Sequence, residues 1–469
     1  MAGVYEFFRN ETNALIGNKQ AFRELLAAGD ISRARRYMEN NTLRVEEALR
    51  EYNPETHNIH KRENKIIYDK KGRRVRVEEQ WKIAIPFQNK INELAVSFLF
   101  ARPPKITQKS TGTDEIFEAV QGVMDETRAE AKLKEAKRLA GSETQCAKLY
   151  YLYKDPATKQ IEIKSKMLAH SYGDELRPMR DINKHMVSFG HGYGINTSSG
   201  EERHFDIYTP YVIYRCKKVS LGWDVNIEKN IMGIIPVVLY EQEKEWKGTE
   251  TITERIEYIV STTADINDYF ASPAVVADKK TVDNMPEKEA VGKLFIAENP
   301  DTVKYLTWDS MPESKKQEYL TLKELLFSMT STPDISFDNV KGLGSLPSGR
   351  AFEFFFMDAL FKAKNRQDDW AVYIDRDYKI VASIIGNVTN IALRQQSRKL
   401  RVNKEFQEPM PEDVSNQLND LRTAVDAGFM STESAIEINP LIKDHKREKV
   451  RVKAETEERS KRNVFEVAE

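Results

Sequence analysis

Two cysteines in 469 residues, Cys146 and Cys216, are too few and too far apart for a disulfide framework or a thiolate zinc site. A reduced, cytoplasmic setting fits such a chain best. Neither sign of charge is in excess: 72 Lys and Arg stand against 73 Asp and Glu, a formal net charge of −1. Proteins that wrap nucleic acid tightly carry a basic surplus, so sequence-reading DNA binding is disfavoured and only transient contact with DNA stays open. No apolar run approaches the roughly 20 residues that cross a bilayer. The first ten residues also lack a basic segment followed by an apolar core, so neither a membrane span nor an export signal is expected.

Catalytic signatures are missing as well. The glycine-rich stretch Gly342-Leu343-Gly344-Ser345-Leu346-Pro347-Ser348-Gly349 precedes a helix, as a phosphate cradle would, but Arg350-Ala351 stand where a Lys followed by Ser or Thr is needed. His57 and His60 sit in a polar connector with no third ligand nearby, which predicts surface histidines rather than a metal site. Asp375 and Asp377 are two apart on a helix and so do not share a face. Gly190-His191-Gly192-Tyr193-Gly194 reads as a turn. The segment 411–438 has a helix–glycine–helix pattern, but its second helix carries Glu433 and Glu437 instead of base-reading Arg, Asn or Gln, which predicts a packing hairpin. No cofactor or metal is expected, and no enzyme: a motor ATPase or nuclease needs a phosphate loop or a carboxylate cluster.

What is present predicts an α+β fold. The first 53 residues read as polar helix with Leu25, Leu26, Ala34, Tyr37, Val45 and Leu49 as apolar members. Ile66-Ile67, the turn 69–72 and alternating Val75 and Val77 predict a hairpin. A short alternating run follows at Trp81, Ile83 and Ile85. Helical spacing then marks 87–98, and a single helix over 116–140 stopped by Gly141. Short strand-like runs between 145 and 240 predict a mostly antiparallel sheet.

From 249 the period is helical again, with Thr251 and Glu254 as a capping box. Glu250, Glu254, Glu257, Asp265 and Asp268 make the opposite face acidic, and Pro273 is expected to kink or end the helix. An insert at 277–311 carries strand-like 294–296 and 303–306, and a helix returns over 312–329. The long Gly/Pro-punctuated loop after Pro333 is of the functional or disordered kind. Ser348 would cap a long helix bearing Phe352, Phe355, Phe356, Ala359, Ala363, Trp370 and Ile374. The tail offers a strand at 399–402, a helix ending at Gly428, a short helix capped by Ser431 and a charged helix over 443–462.

In order and spacing, four passages resemble the portal proteins of tailed bacteriophages. They are Phe87-Gln88-Asn89-Lys90-Ile91 leading to Phe100-Ala101-Arg102-Pro103-Pro104; Gly233-Ile234-Ile235-Pro236-Val237-Val238; Pro333-Asp334 followed by Ser348-Gly349-Arg350-Ala351; and Gly428-Phe429-Met430-Ser431-Thr432-Glu433-Ser434-Ala435. The resemblance implies a ring, dodecameric in the family, at one capsid vertex. Double-stranded DNA would pass through it without sequence specificity. The implied partners are the terminase large subunit, the major capsid protein, a scaffolding protein and a head–tail adaptor, with assembly in the host cytoplasm and no membrane.

It implies a wing at 1–248, a first stem helix at 249–276, a clip at 277–311, a second stem helix at 312–331 and a tunnel loop at 332–347. A long wing helix would follow at 348–398 and a helical crown at 399–469. By the same resemblance Ser336, Asp338, Asn339, Lys341, Gly342, Gly344 and Ser345 would face DNA. Glu250, Glu254, Glu257, Asp265 and Asp268 are candidates for a channel wall that repels phosphate. Another oligomeric head–tail connector is the alternative, and for it the stem and clip labels would be wrong.

Overall fold

The computed structural model describes residues 19–69, 71–157, 159–198, 200–271, 274–278, 293–297, 312–334, 349–407, 414–442 and 444–466. They fall into two compact units. One comprises the described residues up to 334 together with 356–407, the other 349–355 and the residues from 414 onward.

In the first unit the hairpin forms as expected. Strand β1 (Lys65–Tyr68) pairs antiparallel with β2 (Arg74–Glu78). The Asp69 carboxylate accepts backbone N–H groups of Lys71 and Arg73 at 2.8 Å, which closes the turn. Helix Phe87–Phe100 follows, then β3 (Lys105–Gln108).

The single helix expected over 116–140 is two, Asp114–Glu126 and Ala129–Glu143, broken where Arg128 takes φ +53°. On one continuous helix the apolar residues 116, 120 and 123 would lie nearly opposite 133, 136 and 139, a phase jump that the break accommodates. Gly141 does not stop the second helix but lies inside it. There a Cβ would come within 2.0 Å of Asn92 Oδ1, so the glycine lets helix Phe87–Phe100 approach closely.

The strands between 145 and 241 pair antiparallel, as the turn spacing predicts, but divide into two sheets where one was expected. β4 (Gln145–Lys154) lies between β5 (Ile161–Ala169) and β11 (Val237–Glu241). β6 (Glu175–Arg180), β7 (Met186–Thr197), β8 (Gly200–Tyr208), β9 (Val212–Val219) and β10 (Gly222–Lys229) form a five-stranded meander, each strand beside the next. The expected turn at 190–194 is instead the middle of β7. Its glycines serve packing, since a Cβ on Gly190 would sit 2.6 Å from the Phe205 ring. Helices Lys19–Ala27 and Ile31–Ala34 supply Phe22, Leu26, Ile31 and Ala34 to cover this sheet over Met179, Phe205, Ile207 and Cys216.

The main core joins the three-stranded sheet to helices Asp114–Glu126 and Ala129–Glu143 and to the C-terminal half of the long helix Gly349–Ile384. Trp370 on that helix stacks on Tyr240 (5.5 Å between ring centres) and meets Phe100 edge-on (5.3 Å). Covered on both faces, β4 buries Lys148 completely. The stranded ammonium is neutralised by Asp377 of the long helix, whose other oxygen accepts the Tyr150 hydroxyl at 2.9 Å. Asp375 points elsewhere and pairs with Lys404 at 2.6 Å, so the two aspartates diverge as their spacing predicts.

The long helix closes in a π-turn at Ile385–Thr389. β14 (Val402–Glu405) then pairs antiparallel with β3, which ties this part of the tail to the first unit. In the second unit, helix Val414–Asp426 ends at Gly428 (φ +74°) and Ser431 caps helix Thr432–Ile438 by accepting Ser434 N–H at 3.1 Å. Helix His445–Glu466 packs back on it through Lys453–Glu433 (2.7 Å) and the His445 ring against Ile436 O (2.7 Å).

Gly→Ala inside a helix ordinarily stabilises by up to ~1 kcal/mol. Gly141→Ala is expected to do the reverse, by about 1–3 kcal/mol as an overpacked contact. Most of the loss should return in the Gly141→Ala, Asn92→Ala double variant. Urea denaturation of the three proteins checks this.

Candidate functional site

Helix Glu250–Ala271 runs antiparallel to helix Pro312–Met329. Their seam holds Ile252, Ile256 and Val260 against Tyr319, Leu322 and Leu326, with Phe87, Ile91, Trp246 and Phe327 in the same cluster. The first helix begins earlier than its Thr251 capping box suggests, as Thr253 N–H already bonds Thr249 O. It is also shorter than the expected 249–276. Beyond Ala271 the chain is a strand, β12 (Ala274–Asp278), parallel to β13 (Lys293–Ala297). β13 matches the strand expected at 294–296. Pro273, the strand expected at 303–306 and most of the 277–311 insert lie outside the described residues.

The pair is anchored at its base. Trp246 is fully buried, stacks on Tyr52 at 5.6 Å between ring centres and donates its indole N–H to Glu51 at 2.8 Å. Beside it, buried Glu245 is claimed by Lys137 and by Lys362 (2.7 Å) from two different helices. Burial pushes the Glu245 carboxyl up, but the two ammonium groups outweigh it and hold it down at about 2. At the exit of the second helix Asp334 receives Lys323 (2.7 Å) and Lys90 (3.5 Å). Two of the four passages quoted above therefore meet in space.

The five acidic residues do share one face, with Ser261 among them, and that face is occupied. A segment from His57 to Ile85 lies along it. Trp81 N–H donates to Asp265 (2.8 Å), Ile83 N–H to Ser261 Oγ (2.9 Å) and Ile85 N–H to Glu257 (2.8 Å). Side chains complete the attachment. Arg62 pairs with Asp265 at 2.6 Å, the Trp81 indole donates to Asp268 at 2.6 Å and the Asn58 amide to Glu254 at 2.5 Å. Glu250 pairs with Lys244 at 2.6 Å. Trp81, Ile83 and Ile85, which alternate like a strand, thus bond to a helix and not to a sheet.

Two sequence readings need correction. Glu257 is 1 % exposed and committed to His57 and Ile85, so within this chain its side chain is not open to a channel. His57 is not a surface residue but 5 % exposed. Its Nδ1 faces Glu257 Oε1 at 2.6 Å and its Nε2 faces Glu51 O at 2.8 Å, two acceptors that only the doubly protonated ring satisfies. Burial pulls the imidazole down, but the hydrogen bond and charge of Glu257 prevail and raise it above 6.5. His60 is exposed, as expected. Glu254 and Asp268 remain the exposed members of the acidic face, with Glu250 and Asp265 half-buried. The loop candidates Ser336, Asp338, Asn339, Lys341, Gly342, Gly344 and Ser345 lie outside the described residues.

Among the described residues no cluster of three His, Cys, Asp or Glu is arranged to hold a metal, and no helix is long and apolar enough to cross a membrane. The family model described as phage portal protein, SPP1 Gp6-like, matches residues 31–462. The chain belongs to this family. No curated protein matches it. As a phage portal protein it is a structural component of the phage head, and the resemblance read from its four passages holds over nearly its whole length.

For this portal protein the His57–Glu257 contact makes the attached segment pH-dependent. A group raised in the folded state contributes its full stabilisation below its unfolded value of 6.5 and loses it as pH rises through the higher folded value. The stability gap between the parent and His57→Gln should therefore be widest near pH 5.5 and shrink towards pH 9. Denaturation midpoints across that range measure it, and a gap that widens with pH would refute the assignment.

Proposed function

We propose that the chain assembles into a closed ring at one capsid vertex, dodecameric as the family resemblance implies, through which double-stranded DNA enters during packaging and leaves on ejection. The observation that carries this reading is the family match over residues 31–462, together with an anchored antiparallel helix pair at its centre. Helices Glu250–Ala271 and Pro312–Met329 serve as the stem, and residues 277–311 as the clip that docks the terminase large subunit and later the head–tail adaptor. The sheets and N-terminal helices of residues 1–248, with the long helix within 348–398, act as the wing that meets the major capsid protein and scaffold. The C-terminal helices act as the crown, and residues 336–347 as the tunnel loop.

The physical case is one of weak contact. DNA that has to move cannot be gripped at many phosphates, because each neutralised phosphate strengthens binding through counterion release. A chain with net charge −1 suits that need. The exposed carboxylates Glu254 and Asp268, repeated around a ring, would add repulsion if turned to the lumen. Glu257 has no part in such a wall. Its role is to hold the segment that braces the stem.

Electron microscopy of the purified chain is expected to show closed rings with a central hole; a monomer that stays unassembled at high concentration with scaffolding protein present would overturn the reading. Shortening residues 336–347 should leave rings intact and lower DNA packaging at least several-fold. Packaging at the parent rate would remove the tunnel-loop role.

A further inference from the structure

At the far end of the long helix lies an open groove of about 1340 Å³, larger than the sites that enclose small ligands. It is bounded by the end of helix Gly349–Ile384, the turn after β10, the segment between β3 and helix Asp114–Glu126, and the short helix Arg394–Lys399 with β14. Besides Lys404, six cations line it: Lys109, Lys229, Lys379, Arg394, Arg398 and Arg401. All six are exposed, and none pairs with a carboxylate among the described residues. The single acidic residue of the lining, Asp375, is already neutralised by Lys404 at 2.6 Å.

This is a strong local asymmetry in a chain whose total charge is −1. Like charges repel, and concentrating six of them without counter-charges costs stability unless an anion arrives. Three of the cations are guanidinium groups, the side chain that matches the oxygens of a phosphate in pairs. Ser110 and Ser397 line the groove as well, with the Ser110 hydroxyl engaged by Thr113 and the Arg401 N–H and the Ser397 hydroxyl by Arg394 O. Tyr211, Ile231 and Ile391 are also exposed in this lining, outnumbered by its cations.

We propose that this groove is a binding surface for the phosphodiester backbone of double-stranded DNA, separate from the translocation path. The choice of DNA over other polyanions rests on the proposed function; the groove itself does not. It holds duplex by its backbone with no preference of sequence, as DNA lying against the outside of the ring would require. Because the contacts are exposed ion pairs, the hold weakens steeply with salt.

Covalently closed circular DNA cannot be threaded through a closed ring, so its binding reports on outer surfaces alone. Affinity of the assembled protein for a relaxed closed circle is measured against salt by gel shift or sedimentation. The parent is expected to bind at low salt. Arg394→Ala with Arg398→Ala should lower the salt slope by about 2 and weaken binding about tenfold at 0.1 M salt. The charge-conserving Arg394→Lys with Arg398→Lys should keep the slope. Lys154→Ala with Lys184→Ala, exposed cations outside the groove, should leave binding at the parent level. No binding of the circle by the parent, an unchanged slope in the double-alanine variant or an equal loss in the control pair would each overturn the proposal. So would a double-alanine variant that no longer forms rings yet binds the circle normally, because the groove would then be a contact between copies of the chain. Failure of the circle to bind while rings form and package DNA would sink this surface and leave the channel reading standing.

Discussion

Extended backbone advances about 6.6 Å for every two residues, and an α-helix about 6 Å for every four. That near-coincidence governs the centre of this molecule. It allows alternate N–H groups at residues 81, 83 and 85 to find acceptors at 265, 261 and 257, four apart on a helix running the other way. A helix cannot offer its own backbone to a neighbouring strand, because its peptide groups bond within it. Here short side chains take over: a carboxylate, a hydroxyl and a carboxylate, each within reach of one amide. Leucine at 261 would leave the amide of Ile83 without a partner, and lysine at 257 would set a cation against His57. The attachment is thus specified by side-chain chemistry at every step, where a β-ladder would have left the sequence free.

The same economy holds in the core. Lys148 and Lys137 are buried, and each is matched by a carboxylate from a distant part of the chain, Asp377 and Glu245. Such pairs add little net stability compared with well-packed apolar groups, but breaking one by removing a single partner costs about 3–5 kcal/mol. Their value is selective. A long helix slid by one turn along the three-stranded sheet would bury the same kinds of apolar surface while leaving Lys148 opposite no acid. The apolar contacts of Trp370 favour the union of helix and sheet, and the ion pairs decide its register.

Much of this was legible in the residues. Period-two runs between 145 and 241 became antiparallel strands, helix Pro312–Met329 lies where its spacing and bounding prolines put it, and Ser431 caps the helix it precedes. Local pattern failed where a distant partner decides the outcome. His57 looks like a surface residue until Glu257, 200 positions on, comes against it. Five acids at helical spacing correctly share a face, but nothing near them in sequence says that a segment 180 residues earlier covers it. Gly190, Gly192 and Gly194 mimic a turn, because a glycine required by a close neighbour and a glycine required by a positive φ are the same letter. Glycine at 141 misleads in the same way: its neighbour is Asn92, far back in the chain.

Both thiols are sealed. Cys146 and Cys216 lie on β4 and β9 with 0 % and 1 % of their surface exposed. Burial pushes the Cys146 thiol well above its ordinary range and Cys216 up to about 12, so neither offers a thiolate to reagents in neutral solution. For a chemist the folded surface is therefore a blank page. A single cysteine placed on the exposed side of the long helix or on the β1–β2 hairpin would be the only reactive one among the described residues. Fluorophores, spin labels or cross-linkers can be written onto it without first deleting native sulfur from the core.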